Sequence, residues 1–282
     1  MVRKVESLLL NILESSTKGH QIIISPIIQA MMGLLVLLRH GQSTWNALNL
    51  FTGWHDAPLS EIGVAEAKAA GATMRRENLR FDIGYTSLLS RAIETSRLAL
   101  RQLGQDDLPV HRDWRLNERH YGALQGLDKK ATTAKYGAEQ VALWRRSFAV
   151  PPPPVDVSSP EHPVNDPLYR ELLDGGLNPN LLPSGECLKD VVARVIPFFK
   201  SEVLPQLQNN RSVIVTAHGN SLRALLMHLE GVSDTEIAEI NIPTGVPRLY
   251  RFGPDDKIAA RYLGDPTEIA ARINEVVQQS VL

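Results

Sequence analysis

The apolar positions of this chain form short continuous runs, and longer stretches of helix-forming residues separate them. Two runs, at residues 34–38 and 213–217, each lead into His-Gly, a polar residue and Ser. A continuous apolar run of this length is typical of a strand that is buried on both faces of a parallel sheet. Ligands of such sheets bind outside the carboxyl ends of the strands. The pattern therefore predicts that His40 and His218 reach one crevice.

The stretches between and after these runs predict alternating helices and strands. Ser60 is a capping residue for a helix over Glu61–Arg76, which is rich in Ala and carries an acid at its start. The other predicted elements are a strand at 81–87, helices at 91–103, 188–204 (with a kink at Pro197) and 221–229, a strand at 249–252, and a helix at 267–279. This order predicts an α/β fold with three layers, α/β/α, around a mostly parallel central sheet.

Two segments depart from this alternation. Residues 117–186 combine charged and aromatic residues with the run Pro151–Pro154, and they are too long for a simple connection, so we expect a cap inserted over the sheet edge. Residues 1–32 contain no apolar stretch long enough to span a membrane and no signal-peptide pattern, and we expect a flexible extension. The predicted catalytic domain is residues 33–282.

Composition narrows the function class. Hydrophobic residues make up 43% of the 282 residues and the net charge is −1, which favours neither nucleic acid nor a membrane surface as a partner. The single cysteine, Cys187, excludes an intramolecular disulfide and fits a reducing compartment, so we expect a cytoplasmic protein.

The residues around the first histidine suggest chemistry on a phosphate ester. A neutral imidazole can act as a nucleophile, and Arg39 beside His40 would hold an anionic electrophile. Arginine binds phosphate through two parallel hydrogen bonds, which makes phosphate the natural anion. Arg91 is predicted at the start of a helix that follows a strand, a position that favours anions.

Transfer of a phosphoryl group from an alcohol also needs a group that protonates the leaving oxygen. Glu118 in the predicted cap is our candidate, while spacing alone leaves Glu94 and Glu186 open. His120 is as well explained by a structural role. Lys129, Arg145 and Arg146 are either solvated surface or contacts to a second anionic group of the substrate. The sequence contains no His-x-His, HExxH or paired cysteines, so we expect no metal.

These motifs resemble a known family. Leu38–Ser43 is similar to the Arg-His-Gly signature of the histidine phosphatase superfamily, and the segments 117–126 and 241–247 resemble its cofactor-dependent phosphoglycerate mutase branch. The resemblance extends from about residue 34 to residue 271. The C-terminal tail, which in that family helps to close the site, is hard to align beyond this point.

The resemblance implies an interconversion of 3-phosphoglycerate and 2-phosphoglycerate through a phosphohistidine. It implies that 2,3-bisphosphoglycerate primes His40, that Glu118 is the acid and base, and that Arg39, Arg91 and His218 surround the phosphoryl group. The substrate-binding residues that it implies are Ser43, Asn46, Thr52, Gly53, Tyr121, Lys129, Arg145, Arg146, Gly219 and Asn220. Homodimers or homotetramers are usual in the family.

Three alternatives stay open from the sequence. A bisphosphoglycerate mutase and a broad-specificity histidine phosphatase share the fold and differ in whether a bisphosphoglycerate precursor or water reaches the phosphohistidine. A non-catalytic module that binds a phosphorylated ligand is the third. The presence of both histidines together with Glu118 disfavours that last reading.

Overall fold

A six-stranded sheet forms the centre of the protein in the computed structural model, which describes residues 32–253 and 258–281. Its strands lie in the order β3-β2-β4-β1-β5-β6. The strands are β1 (Leu35–Arg39), β2 (Ile83–Thr86), β3 (Val110–Arg112), β4 (Val213–Ala217), β5 (Pro247–Phe252) and β6 (Ile258–Tyr262). The first four in chain order pair in parallel, while β5 and β6 are antiparallel additions at one edge.

Helices cover the sheet and fill the long middle segment. They are α1 (Thr44–Ala47), α2 (Glu61–Arg76), α3 (Ser90–Leu103), α4 (Lys129–Tyr136), α5 (Ala138–Arg146), α6 (Arg170–Asp174), α7 (Leu188–Phe198), α8 (Leu204–Gln208), α9 (Gly219–Glu230) and α10 (Pro266–Val281). Two large hydrophobic clusters lie against this sheet, one packed mainly by α7 and α9 and the other by α2 and α3. The predicted fold class is confirmed. No helix among the described residues is long and apolar enough to cross a bilayer.

The register of β1 and β4 explains why the sequence contains the same phrase twice. The two strands are neighbours, and Arg39 pairs with Ala217 at their carboxyl ends. The backbone N–H of His40 continues the ladder by donating to the carbonyl of Ala217 at 2.9 Å. Both histidines consequently leave the sheet side by side.

Helix α2 begins and ends where the sequence predicted, because Ser60 caps it by accepting a hydrogen bond from the backbone N–H of Gly63 at 3.1 Å. The predicted helix 188–204 is longer and has two irregularities. Pro197 lies inside α7, and a π-helical segment, Phe199–Val203, joins α7 to α8. Proline lacks the N–H of one helical bond and its ring crowds the preceding turn, so the bonding pattern widens directly after it.

The sequence pattern missed two strands and misplaced one helix start. Strand β3 has only three residues, and β6 alternates exposed with half-buried positions at the sheet edge, so neither forms an apolar run. Helix α9 begins at Gly219 rather than at Ser221, because His218 is the N-cap and its backbone N–H donates to the Ser221 hydroxyl.

Residues 117–186, predicted as a cap, contain α4, α5 and α6 with several 3₁₀ turns. Aromatic residues that precede this segment pack into it. Phe51 joins Leu124 and Val141 in one cluster, and Trp54 joins Tyr169 and Leu182 in another. Burial of these rings anchors the segment to the rest of the domain. The predicted extension lies outside the described residues except for Met32.

Candidate active site

Two buried histidines form the centre of the site. The ring centroids of His40 and His218 are 4.8 Å apart, and the rings are inclined by 58°. Nδ1 of His40 is 2.7 Å from the carbonyl oxygen of Gly41, and Nε2 of His218 is 2.7 Å from the Ser87 hydroxyl. A carbonyl only accepts, so Nδ1 of His40 must carry the proton and Nε2 keeps its lone pair.

Burial keeps both rings neutral. The pKa of His40 is lowered well below its usual value, chiefly by desolvation and then by Arg91 and Arg39. The pKa of His218 is lowered in the same way by burial, Arg91 and His40. A neutral imidazole with a free Nε2 lone pair is the nucleophilic form of the residue.

Two arginines flank the rings, Arg91 fully buried and Arg39 partly buried. Nη1 of Arg39 donates to the carbonyl of Ile242 at 2.6 Å, and the two Nη atoms of Arg91 donate to the carbonyls of His55 and Gly53 at 2.9 and 2.7 Å. The Nε atoms of both arginines are buried and have no hydrogen-bond partner among the described residues. Desolvation lowers the pKa of Arg91 to about 10, with Glu118 opposing the shift.

Glu118 lies across the same space, and its carboxylate is oriented by backbone and side-chain donors. Its Oε1 accepts from the backbone N–H of Arg119 at 2.7 Å and from both the backbone N–H and the side-chain amide of Asn220 at 3.1 and 2.8 Å. None of the described residues donates a hydrogen bond to Oε2. This arrangement leaves one carboxylate oxygen available for proton exchange.

The other two glutamates that spacing left open lie elsewhere. Glu94 pairs with Arg97 on the surface of α3 at 2.6 Å. Glu186 is buried but forms an ion pair with Arg194 at 2.7 Å and accepts from the backbone N–H of His120. The structure therefore brings only Glu118 of the three to the histidines.

A cavity of about 110 Å³ opens at this point, and its wall is strongly cationic. Six cationic side chains and one carboxylate line it; together with the neutral members they are Arg39, His40, Asn46, Leu50, Thr52, Gly53, Arg91, Glu118, Tyr121, Lys129, Arg145, Arg146, Gly219, Asn220, Arg223, Ile240, Asn241, Ile242 and Val276. Such a wall fits a small ligand with several negative charges.

The predicted cap contributes three of the cations that line this cavity. Lys129 at the start of α4 donates to the Asn49 side chain at 3.3 Å, and burial followed by repulsion from Arg145 lowers its pKa to about 8. Arg146 donates to the Asn241 side chain at 2.9 Å. Burial also lowers the pKa values of Arg145 and Arg146. A bound anion would offset the cost of holding these charges together.

Besides Glu94 and Glu186, three residues that the sequence singled out do not line the cavity; one of them is His218, whose ring centroid lies 4.8 Å from that of His40. Ser43 is completely buried, and its hydroxyl caps α1 by accepting from the backbone N–H of Asn46 at 3.1 Å. His120 lies behind the site, where its Nδ1 accepts from Gly122 at 3.0 Å and its ring contacts Trp54. His120 is structural in this arrangement.

Sequence reasoning missed Arg223 and the wall formed by Leu50, Ile240, Asn241, Ile242 and Val276. Arg223 is one helical turn after Asn220 on α9, and its Nη1 donates to the Asn220 side-chain oxygen at 3.1 Å. Burial, with repulsion from Arg119, lowers its pKa to about 9. The spacing of three residues between Asn220 and Arg223 could have placed both on one helix face. The sequence prediction began this helix at Ser221, however, and so left Asn220 outside it.

Several polar atoms at the site fit an oxyanion. Those without a partner among residues 32–253 and 258–281 include Nε of Arg39, Nε of Arg91, the Thr52 hydroxyl and Nδ1 of His218. Buried polar atoms are usually paired, and Arg39, Arg91 and Thr52 all line the cavity, so their unpaired atoms indicate a ligand there. Within the same ranges, no cluster of three or more His, Cys, Asp or Glu residues could hold a metal ion.

The family model for the histidine phosphatase superfamily (branch 1) matches residues 35–165 and 165–262 of this chain. Curated relatives include the 2,3-bisphosphoglycerate-dependent phosphoglycerate mutases of Xylella fastidiosa strains 9a5c and M23. Each is 51% identical over 244 residues, which are 86% of this chain and 96% of the relative.

Solved structures support the fold. A mycobacterial glucosyl-3-phosphoglycerate phosphatase in complex with VO3 aligns with a TM-score of 0.59 at 25% identity, and it covers 82% of this chain and 96% of its own. Bacillus stearothermophilus YhfR aligns with a TM-score of 0.61 at 20% identity, over 84% of this chain and 99% of its own.

Proposed function

This chain belongs to branch 1 of the histidine phosphatase superfamily, and we propose that it is a 2,3-bisphosphoglycerate-dependent phosphoglycerate mutase that interconverts 3-phosphoglycerate and 2-phosphoglycerate. The observation that carries the proposal is that a neutral His40, protonated on Nδ1, lines the same cavity as six cationic side chains. Bound 2,3-bisphosphoglycerate supplies the phosphoryl group that primes His40.

His40 is the proposed nucleophile. Its Nε2 lone pair forms the N–P bond while the bond from phosphorus to the ester oxygen breaks, and Nδ1 keeps its proton, which it donates in a hydrogen bond to the Gly41 carbonyl. Arg39 and Arg91 hold the three peripheral oxygens of the transferring group, whose charge would otherwise repel the incoming lone pair. His218 adds a buried donor or acceptor beside the same group.

Glu118 is the proposed acid and base. In its acidic form it gives a proton to the ester oxygen that leaves phosphorus, and as a carboxylate it removes the proton from the hydroxyl that attacks the phosphohistidine. Oε2 is the oxygen for this exchange, because Asn220 and the Arg119 backbone occupy Oε1.

The cap cations are proposed to hold the part of the substrate that does not react. A phosphoglycerate has a carboxylate in addition to its phosphate, and a bisphosphoglycerate has a further phosphate. Lys129, Arg145 and Arg146 place positive charge for these groups in the same cavity that His40 lines. Retention of the bisphosphorylated species between the two transfers distinguishes a mutase from a phosphatase.

We also propose a cytoplasmic location, which the single cysteine supports, and a homodimer or homotetramer as in the family. From the sequence pattern we further propose the division into an extension (1–32) and a catalytic domain (33–282) that includes the cap.

The test is an assay of 3-phosphoglycerate conversion with and without 2,3-bisphosphoglycerate and with a chelator, together with labelling of the enzyme by the bisphosphate. We expect bisphosphate-stimulated conversion that resists chelation, and acid-labile labelling that His40→Ala abolishes. Labelling retained by His40→Ala, or activity lost to the chelator, contradicts the mechanism. Release of inorganic phosphate without 2-phosphoglycerate would instead identify a phosphatase, the activity named for the mycobacterial structural neighbour.

A further inference from the structure

A buried carboxylate outside the cavity connects three segments that build the site. Glu66 lies on α2, is 5% exposed and is absent from the cavity wall. Its Oε2 accepts from the backbone N–H of Gln42 at 2.7 Å. Its Oε1 accepts from the Thr244 hydroxyl and from Nη1 of Arg272, both at 2.8 Å.

The first two segments hold the nucleophile and its arginine. Gln42 is two residues after His40, so its bond to Glu66 fixes the peptide that follows the nucleophile. Thr244 belongs to the segment 241–247, in which Ile242 accepts from the Arg39 side chain and Gly245 donates its backbone N–H to the Arg39 carbonyl at 3.1 Å. Glu66 therefore contacts Gln42, two residues after the nucleophile, and the segment that binds Arg39, the residue before it.

The third segment is the C-terminal helix. Arg272 lies on α10, and Val276, one helical turn later, is part of the cavity wall. The Arg272–Glu66 pair ties this wall to α2. The Arg272 side chain is 28% exposed, whereas that of Glu66 is 5% exposed. The ion pair therefore lies near the surface, with its carboxylate buried.

Close backbone packing lets a displacement of Glu66 reach the nucleophile. Gly245 has a φ of +63°, and a Cβ there would lie 2.6 Å from Cβ of Glu66. A Cβ on Gly63 would lie 2.0 Å from the carbonyl oxygen of Gln42, and one on Gly41 would lie 2.3 Å from that of Gly63. Because the backbones of these segments are in direct contact, we expect a displacement of one segment to shift the others.

We propose that Glu66 is a positioning residue for the transfer step and that Arg272 is its partner, so that docking of α10 and alignment of the His40 loop are one coupled event. Loss of the Arg272 guanidinium leaves a buried carboxylate with one charged partner fewer, which favours rearrangement of the groups around it. The loop after His40 and the wall around Val276 then lose their common support. This inference rests on the proposed function.

Arg272→Met is the direct test, and Arg261→Met is its matched control. Arg261 on β6 pairs at 2.5 Å with Glu77, which directly follows α2; the two side chains are 56% and 34% exposed, and neither residue lines the cavity. Both variants thus remove one ion pair between α2 and the C-terminal part of the chain. The measurement is the fate of phosphoryl groups on labelled His40, divided between 3-phosphoglycerate and water.

We expect Arg272→Met to raise hydrolysis relative to transfer severalfold, Arg272→Lys to recover most of the native ratio, and Arg261→Met to behave as the native enzyme. Glu66→Gln should lower kcat by about 10²-fold with a smaller change in KM, the cost of a reacting group displaced by about 1 Å. If Glu66→Gln does not fold, Thr244→Val removes one of the same bonds and should lower kcat in the same sense.

Equal behaviour of Arg272→Met and Arg261→Met overturns the proposal, as does a Thr244→Val enzyme with native kcat. Conversion of 3-phosphoglycerate by the native enzyme is measured in parallel, so that failure of this proposal can be told apart from failure of the proposed function. If the native enzyme does not convert 3-phosphoglycerate, the mutase assignment fails. The coupling is then read from hydrolysis of p-nitrophenyl phosphate, in which loss of alignment should lower kcat in Arg272→Met but not in Arg261→Met.

Discussion

The ring of His40 is held by the carbonyl of its own neighbour, Gly41, with Nδ1 and the carbonyl oxygen 2.7 Å apart. This contact decides the tautomer, because only a protonated Nδ1 can donate to a carbonyl oxygen. It also decides the reactive atom, since the lone pair then lies on Nε2. The glycine has a second role, because a side chain at this position would collide with the backbone of Gly63.

The first prediction concerns the position of the phosphate on the labelled enzyme. We expect phosphorylation of His40 at Nε2 and none at Nδ1, since the Gly41 carbonyl blocks the latter. Phosphorus-31 and nitrogen-15 NMR of the labelled protein, in which coupling identifies the bonded nitrogen, is the measurement. A phosphate on Nδ1 would show that the observed tautomer is not the reacting one.

The second prediction concerns substrate affinity at alkaline pH. The pKa of Lys129 is lowered to about 8 by burial, so its positive charge disappears as the pH rises through about 8. We expect KM for 3-phosphoglycerate to rise between pH 7 and pH 9 in the native enzyme and to rise less in Lys129→Arg, since arginine keeps its charge over this range. Parallel KM profiles for the two enzymes would exclude Lys129 as a substrate contact.

The third prediction concerns orientation of the proposed acid and base. The Asn220 amide is fixed on both sides, because Arg223 donates to its oxygen while its nitrogen donates to Oε1 of Glu118. Asn220→Asp would place a carboxylate against Oε1 at the same distance. We expect kcat to fall by about 10²-fold, a typical share for a general acid and base.

Asn241→Asp is the control for this change. It adds the same charge to the cavity wall but faces the Arg146 guanidinium, from which Asn241 already accepts. The two variants should therefore differ in kcat even if both alter KM. Similar losses of kcat would assign the effect to net charge and would remove the orienting role from Asn220.

The fourth prediction concerns stability at acidic pH. Burial lowers the pKa of His120 from 6.5 to about 3, so between these values the unfolded chain binds a proton that the folded protein excludes. The free energy of unfolding must then fall as the pH drops below about 6.5, by about 2 kcal/mol at pH 5 from this residue.

His120→Asn isolates this contribution, because an amide oxygen can still accept from Gly122 but does not titrate. Denaturant unfolding at pH 7 and pH 5 gives the free energy of each protein. We expect the native protein to lose about 2 kcal/mol more than the variant over this interval. An equal loss in both would mean that His120 is protonated in the folded state or is already solvated.

The sequence alone determined the fold class and the chemical centre. Short continuous apolar runs are typical of strands covered on both faces, and two such runs that lead into His-Gly predict two imidazoles at one sheet edge. Arg39 follows from adjacency to His40. Ser60 fixed the start of α2 because a cap is a local interaction, which a sequence displays directly.

The tertiary structure decided what depends on residues far apart in the chain. Spacing in the sequence favours Glu118 but leaves Glu94 and Glu186 open, and packing shows that these two pair with Arg97 and Arg194. The contact of Asn220 with Glu118 and the contacts of Glu66 with Gln42, Thr244 and Arg272 likewise join residues far apart in the chain. Local patterns cannot reveal them, because the partners of a buried charge are chosen by the fold and not by its neighbours in sequence.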